Sequence, residues 1–138
     1  MNNDLCRAKT LLEEGNYTCV LCHGNEIHTS TARGVRPLLE LERQDWHAFS
    51  AADKVIGKAT AFLYVHLGVR AVYAPVISKA ALNVLQQSGI EVSYDLAVPA
   101  IFNRTRTGYC PMETAVKDIE VLDEALQAIR ETFEKLHN

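Results

Sequence analysis

Residues 69–95 read VRAVYAPVISKAALNVLQQSGIEVSYD, and this stretch decides the fold. Val69 to Ile77 is a nearly continuous apolar run rich in β-branched residues, as expected of a strand buried on both faces. Ser78 then stands in front of an amphipathic segment, Lys79 to Ser88, where its hydroxyl can accept a backbone N–H at a helix start. Gly89 is a stop signal. Ile90 to Asp95 is a second strand. Strand, helix and strand in so few residues predict a parallel βαβ unit with a right-handed crossover, and therefore a mixed or parallel sheet clothed by helices.

Working back from this unit, Ser50-Ala51-Ala52-Asp53 matches the S-x-x-D/E capping box and predicts a helix over AADKVIGKATAFLYVHL, closed by Gly68. From Ala59 to Leu67 it carries no formal charge, the mark of a helix inside a domain. Further back, Arg33-Gly34 predicts a turn and Pro37 the first position of a short helix. Tyr17 to Cys22 and Glu26 to Thr31, joined at Gly24-Asn25, predict a β-hairpin. Leu5, Ala8, Leu11 and Leu12 have helical spacing ahead of Gly15. Working forward, a turn-rich polar stretch precedes a long helix over 118–137. Its apolar residues Ile119, Leu122, Leu126, Ile129, Phe133 and Leu136 suit a helix laid on the sheet. A homodimeric coiled coil is the alternative use of that stripe, with fewer than three heptads to support it.

The chain has 138 residues, enough for one domain with its own core, and a single domain spanning 1–138 is expected. Hydrophobic residues make up 48% and charged residues 22%, a globular balance, and the formal net charge of −3 supplies no basic field for nucleic acid. No stretch has the length of apolar sequence that a membrane span needs, and the N-terminal residues have neither a basic nor an apolar leader region. The expectation is a cytoplasmic protein with reduced cysteines, bound to neither membrane nor nucleic acid. Cys19-Val20-Leu21-Cys22-His23 has the letters of a c-type haem attachment site. In a strand, however, Cys19 and Cys22 project to opposite faces and cannot clasp one haem or one zinc.

The order of helix, hairpin, buried helix, strand, helix and strand resembles the cytidine-deaminase-like fold, which implies a three-layer α/β/α domain around one mixed sheet. Deaminases of that fold open one helix with H/C-A-E and the next with P-C-x-x-C, supplying three zinc ligands and a proton-shuttling glutamate. Here Ala51-Ala52-Asp53 and Pro75-Val76-Ile77-Ser78-Lys79 stand in those places. Ala51 and Val76 offer no donor to zinc, so the resemblance implies a protein without metal or other cofactor. RGVRPLLEL at 33–41, ADKVIGKA at 52–59 and NRTRTGYCPMETAV at 103–116 further resemble domain-of-unknown-function family 1893, grouped with deaminases but lacking their metal motif.

Three sets of residues stand out chemically. Lys54 and Lys58, four apart at the expected start of one helix, add positive charge where the macrodipole is already positive. With Arg33 and Arg36 they suggest a site for a small anionic or nucleotide-like ligand. Ser78 and Lys79, at a helix start after a parallel strand, are further ligand-binding candidates. Asp53 and Cys110 are the catalytic candidates. Asp53 would take the place of the deaminase carboxylate. Cys110, ahead of Pro111 at a helix start, would use free N–H groups and the dipole to favour a thiolate, the basis for a thiol enzyme or redox sensor. An inert regulatory or scaffold module is the remaining alternative.

Overall fold

The computed structural model describes residues 2–32, 34–42, 44–101 and 110–137. Its elements are α1 (Asn3–Gly15), β1 (Cys19–His23), β2 (Glu26–Ser30), α2 (Arg36–Glu40), β3 (Ser50–Asp53) and β4 (Val55–Ile56), followed by α3 (Lys58–Leu67), β5 (Ala71–Ser78), α4 (Lys79–Gln87), β6 (Glu91–Val98), α5 (Pro111–Val116) and α6 (Leu122–His137).

The six strands form one mixed sheet. β1 pairs antiparallel with β2 and with β3, and β5 pairs parallel with β3, β4 and β6. Ala71 to Tyr73 pair with both β3 and β6, and Val76 and Ile77 with both β4 and β6, so β3 and β4 share one edge of β5 and β6 takes the other. β3 and β4 keep one register against β5. The ladder breaks between them at Lys54, level with Pro75, which has no N–H to give. The predicted β5–α4–β6 unit is present with both strands parallel, and Ser78 caps α4 by accepting the Ala81 N–H at 3.1 Å.

Helices cover both faces, giving three layers. Leu5, Ala8 and Leu12 of α1 pack on Val20, Cys22, Ala52, Ala71 and Tyr73. The opposite face holds the larger core, where α3 and α4 lie over Leu21, Ala51, Val72 and Ile77. Cys19 and Cys22 fall in these two different clusters, as strand alternation requires. Among the described residues, no helix is long and apolar enough to cross a membrane.

The structure corrects the expected helix over 51–67. Ser50 to Asp53 is a strand, and the helix begins only at Lys58, with Gly57 at its N-cap. Ala51 and Ala52 are completely buried, one on each face, where small side chains let α1 and α3 approach the sheet from both sides. Ladder pairing on two edges overrides the helix propensity of alanine, and the local capping-box letters carry no helix. Lys54 and Lys58 therefore share no helical face. Two smaller differences have local causes. α1 runs through Gly15 and is ended by Asn16 in the left-handed region (φ 56°), which asparagine tolerates. The last helix begins at Leu122 and packs on α3 and α5, with Ala125, Leu126 and Ile129 buried, instead of lying on the sheet.

Candidate functional site

Asp53 ends β3, on the same face as Ala51, and so points toward α3. The Tyr64 hydroxyl donates to Asp53 Oδ2 at 2.7 Å, and Cys19 Sγ lies 3.3 Å from that hydroxyl. Cys19 is the cross-strand partner of Asp53, so pairing of β1 with β3 brings thiol, phenol and carboxyl together. Burial pushes the Asp53 carboxyl up to about 7, against the lowering effect of the Tyr64 hydroxyl and the Val55 and Lys54 N–H groups. Burial likewise raises Cys19, with the Asp53 charge adding to it, and raises Tyr64, with the charges of Asp53 and Cys19 adding.

Asp53 retains partial exposure into a cleft of about 230 Å³. Thr18, Ala32, Pro37, Val55, Ile101 and Met112 contribute to its walls, Cys110 and Glu113 bring the start of α5 to it, and Lys54 lines it with an exposed side chain. A second cleft of about 180 Å³ includes Lys58, Ser78, Pro99 and Lys117 in its lining and shares Ile101 and Glu113 with the first.

Glu113 carries out a task that the sequence reading missed. Its Oε1 accepts the Lys58 N–H at 2.8 Å and its Oε2 the Ala59 N–H at 3.0 Å, so a carboxylate from α5 caps α3 across the fold. Gly57 makes this approach feasible, because a Cβ there would stand 2.6 Å from the Glu113 carboxyl carbon. Lys58, only 6% exposed, extends its ammonium to Lys117 O at 3.1 Å and Glu120 Oε1 at 3.2 Å. The positive start of α3, expected to await an anion, already holds one of the chain's own.

The remaining predicted site residues divide clearly. Cys110 is half-buried at the N-cap of α5, just before Pro111, as expected. Ser78 is buried and occupied as a helix cap. Lys79 is exposed and lines neither cleft, and Arg36 turns to α6, its guanidinium 5.5 Å from the Phe133 ring centroid. Arg33, and residues 103–109 of the NRTRTGYCPMETAV stretch, lie outside the described residues. Among the described residues no group of three His, Cys, Asp or Glu side chains is placed to hold a metal ion. Tyr64 and Cys19 joined the site unannounced by any motif. The one available signal was alternation in β1, which sets Cys19 on the α3 face.

No protein among those with curated descriptions matches the chain. A solved structure that does match is a crystal structure of a DUF1893 family protein, TM1506, from Thermotoga maritima. It is 27% identical, with a TM-score of 0.83, over 98% of this chain and 92% of that one. The family model described as TM1506, domain of unknown function (DUF1893), matches residues 7–133. With nearly the whole chain inside that match, this protein belongs to the DUF1893 family.

Proposed function

We propose that the protein binds a small nucleotide-like molecule in the cleft beneath Asp53, and that Asp53 acts there as a metal-free acid–base group. The observation that carries this reading is a carboxyl set in an apolar cleft, joined to a buried tyrosine and ionising at about 7, where it can both give and take a proton. The apolar walls suit an uncharged ring, and an anionic substituent of the ligand would lie toward the exposed ammonium of Lys54. The N-termini of α3 and α4 are capped internally by Glu113 and Ser78, so the reading rests on Asp53 and not on the helix starts.

The deaminase-like relationship belongs to the same proposal. With α3 starting at Lys58, its opening residues are Gly57, Lys58 and Ala59, none of which reproduces H/C-A-E. Such a protein would have kept the layered fold and moved its proton chemistry to a strand-borne aspartate.

Thermal shifts with nucleosides, nucleoside monophosphates and small phosphorylated metabolites test the reading. Wild type should be stabilised by a member of this panel, and Asp53→Asn and Lys54→Met should each weaken that shift. A panel with no effect on wild type, or a shift retained in both variants, overturns it.

A second reading rests on the half-buried Cys110 thiol in the wall of the same cleft. If it is a nucleophile, alkylating it abolishes activity as well as ligand binding. Retention of activity after complete Cys110 labelling removes this reading.

A further inference from the structure

The two oxygens of Asp53 have unlike surroundings. Oδ2 accepts the Tyr64 hydroxyl at 2.7 Å, whereas Oδ1 accepts the Val55 N–H at 3.4 Å, a longer and weaker bond. With its proton committed to Oδ2, the Tyr64 oxygen is left as an acceptor, so the Cys19 thiol, 3.3 Å away, takes the donor role. The chain runs one way, from S–H to O–H to Oδ2. In a neutral carboxyl group the oxygen that accepts the stronger hydrogen bond serves as the carbonyl oxygen, so with Tyr64 donating to Oδ2 the acid proton resides on Oδ1.

We propose that Asp53 exchanges its proton through Oδ1 alone, and that Tyr64 and Cys19 are positioning residues that impose this choice. The inference rests on the reading of the cleft as a ligand site, and it narrows the ligand to one presenting a basic heteroatom, a carbonyl oxygen or an imine-type nitrogen, to Oδ1. In the forward step the Oδ1–H bond breaks and a heteroatom–H bond forms. The electron pair stays on the carboxylate, whose charge is met at Oδ2 by the Tyr64 O–H. The reverse step restores both bonds. Among the described residues, the titratable or charged groups around Asp53 are Cys19 from β1, Tyr64 from α3, the adjacent Lys54, and Cys110 and Glu113 at the start of α5 in the lining of the same cleft.

Ligand-free protein labelled at the aspartate carboxyl carbon tests this by carbon NMR against pH. Asp53 in wild type should titrate at about 7. Tyr64→Phe should raise the midpoint by about one pH unit, because the carboxylate loses its O–H donor, and Cys19→Ala should raise it by less. In Asp53→Asn the amide oxygen should turn to Tyr64 and the NH₂ to the cleft, so that its protons exchange with water as those of an open amide do. A midpoint that Tyr64→Phe leaves unchanged or lowers, or a side-chain NH₂ protected from exchange in Asp53→Asn, overturns the inference while leaving the cleft reading standing. Absence of any aspartate titrating near neutrality in wild type overturns both. Should Tyr64→Phe fail to fold, the Cys19→Ala midpoint and the Asp53→Asn exchange decide.

Discussion

Gly57→Ala tests the cap that Glu113 places on α3. Gly57 has φ −95° and ψ 178°, ordinary extended backbone, so alanine meets no conformational strain there. The added Cβ would instead lie 2.6–2.8 Å from the Glu113 carboxyl atoms, the far end of a side chain free to swing away. When it swings, Lys58 and Ala59 lose the acceptor of their N–H groups and the helix loses the negative charge at its positive end. Two charge-assisted hydrogen bonds at a helix N-terminus are worth about 1–2 kcal/mol, and alanine at an N-cap adds at most about 0.5 kcal/mol. Gly57→Ala should therefore cost about 1–2.5 kcal/mol, a fall in Tm of roughly 3–9 °C for a chain of this size. Glu113→Ala should cost a similar amount by the same loss. The double variant should then lie within about 0.5 kcal/mol of either single one, because the cap can be lost only once. Urea denaturation of all four proteins reads this directly. Costs that simply add would show that the two residues act separately, and would refute the argument.

Asp53 should give stability a pH dependence of definite sign. Its folded-state value of about 7 lies above the 3.8 of an unperturbed carboxyl, so the native state binds more protons than the unfolded one between those limits. Its stabilising contribution is full below about pH 4 and should fall by roughly 3 kcal/mol as pH rises to 7; Asp53→Asn should lack that fall, and a parallel slope in both proteins would assign it to other groups. Lys58→Met, which the sequence alone expects to stabilise by relieving repulsion from Lys54, should instead cost roughly 1–2 kcal/mol by chemical denaturation, since the buried ammonium holds Lys117 O and Glu120. A gain in stability would show that the contacts of Lys58 with Lys117 O and Glu120 do not stabilise the fold. In thiol labelling of the native protein, exposed Cys6 should react first, and Cys19 and Cys22 only after unfolding. Prompt labelling of Cys19 would contradict its place in the core.

The parts of the fold legible in the sequence were those with strong periodicity and an unambiguous stop. The β5–α4–β6 unit had an apolar run, a serine cap and a glycine stop, and all are present. The segment around Ala51 misled because its apolar character is supplied by alanine, a helix former, and its strand state is imposed by neighbours on both edges. The candidate site was half legible. Asp53 and Cys110 reach one cleft, as does Lys54, but the partners that give Asp53 its character are contributed by β1 and α3 through tertiary pairing. Glu113 is four residues after Tyr109 in a stretch already noticed. That it would cap a helix 54–55 residues earlier in the chain has no local signature.

That separation bears on the order of events during synthesis. At about 5–20 residues per second, a ribosome takes roughly 3–10 s to pass from the start of α3 to the carboxylate that caps it. In that interval all six strands have been synthesised, yet the first turn of α3 has two N–H groups without their acceptor and the cleft lacks its Cys110–Glu113 wall. A chain truncated after residue 100 would therefore present the sheet with an open, frayed site, and a protease probing chains truncated at successive points should cut near Gly57 until residues 111–120 are included.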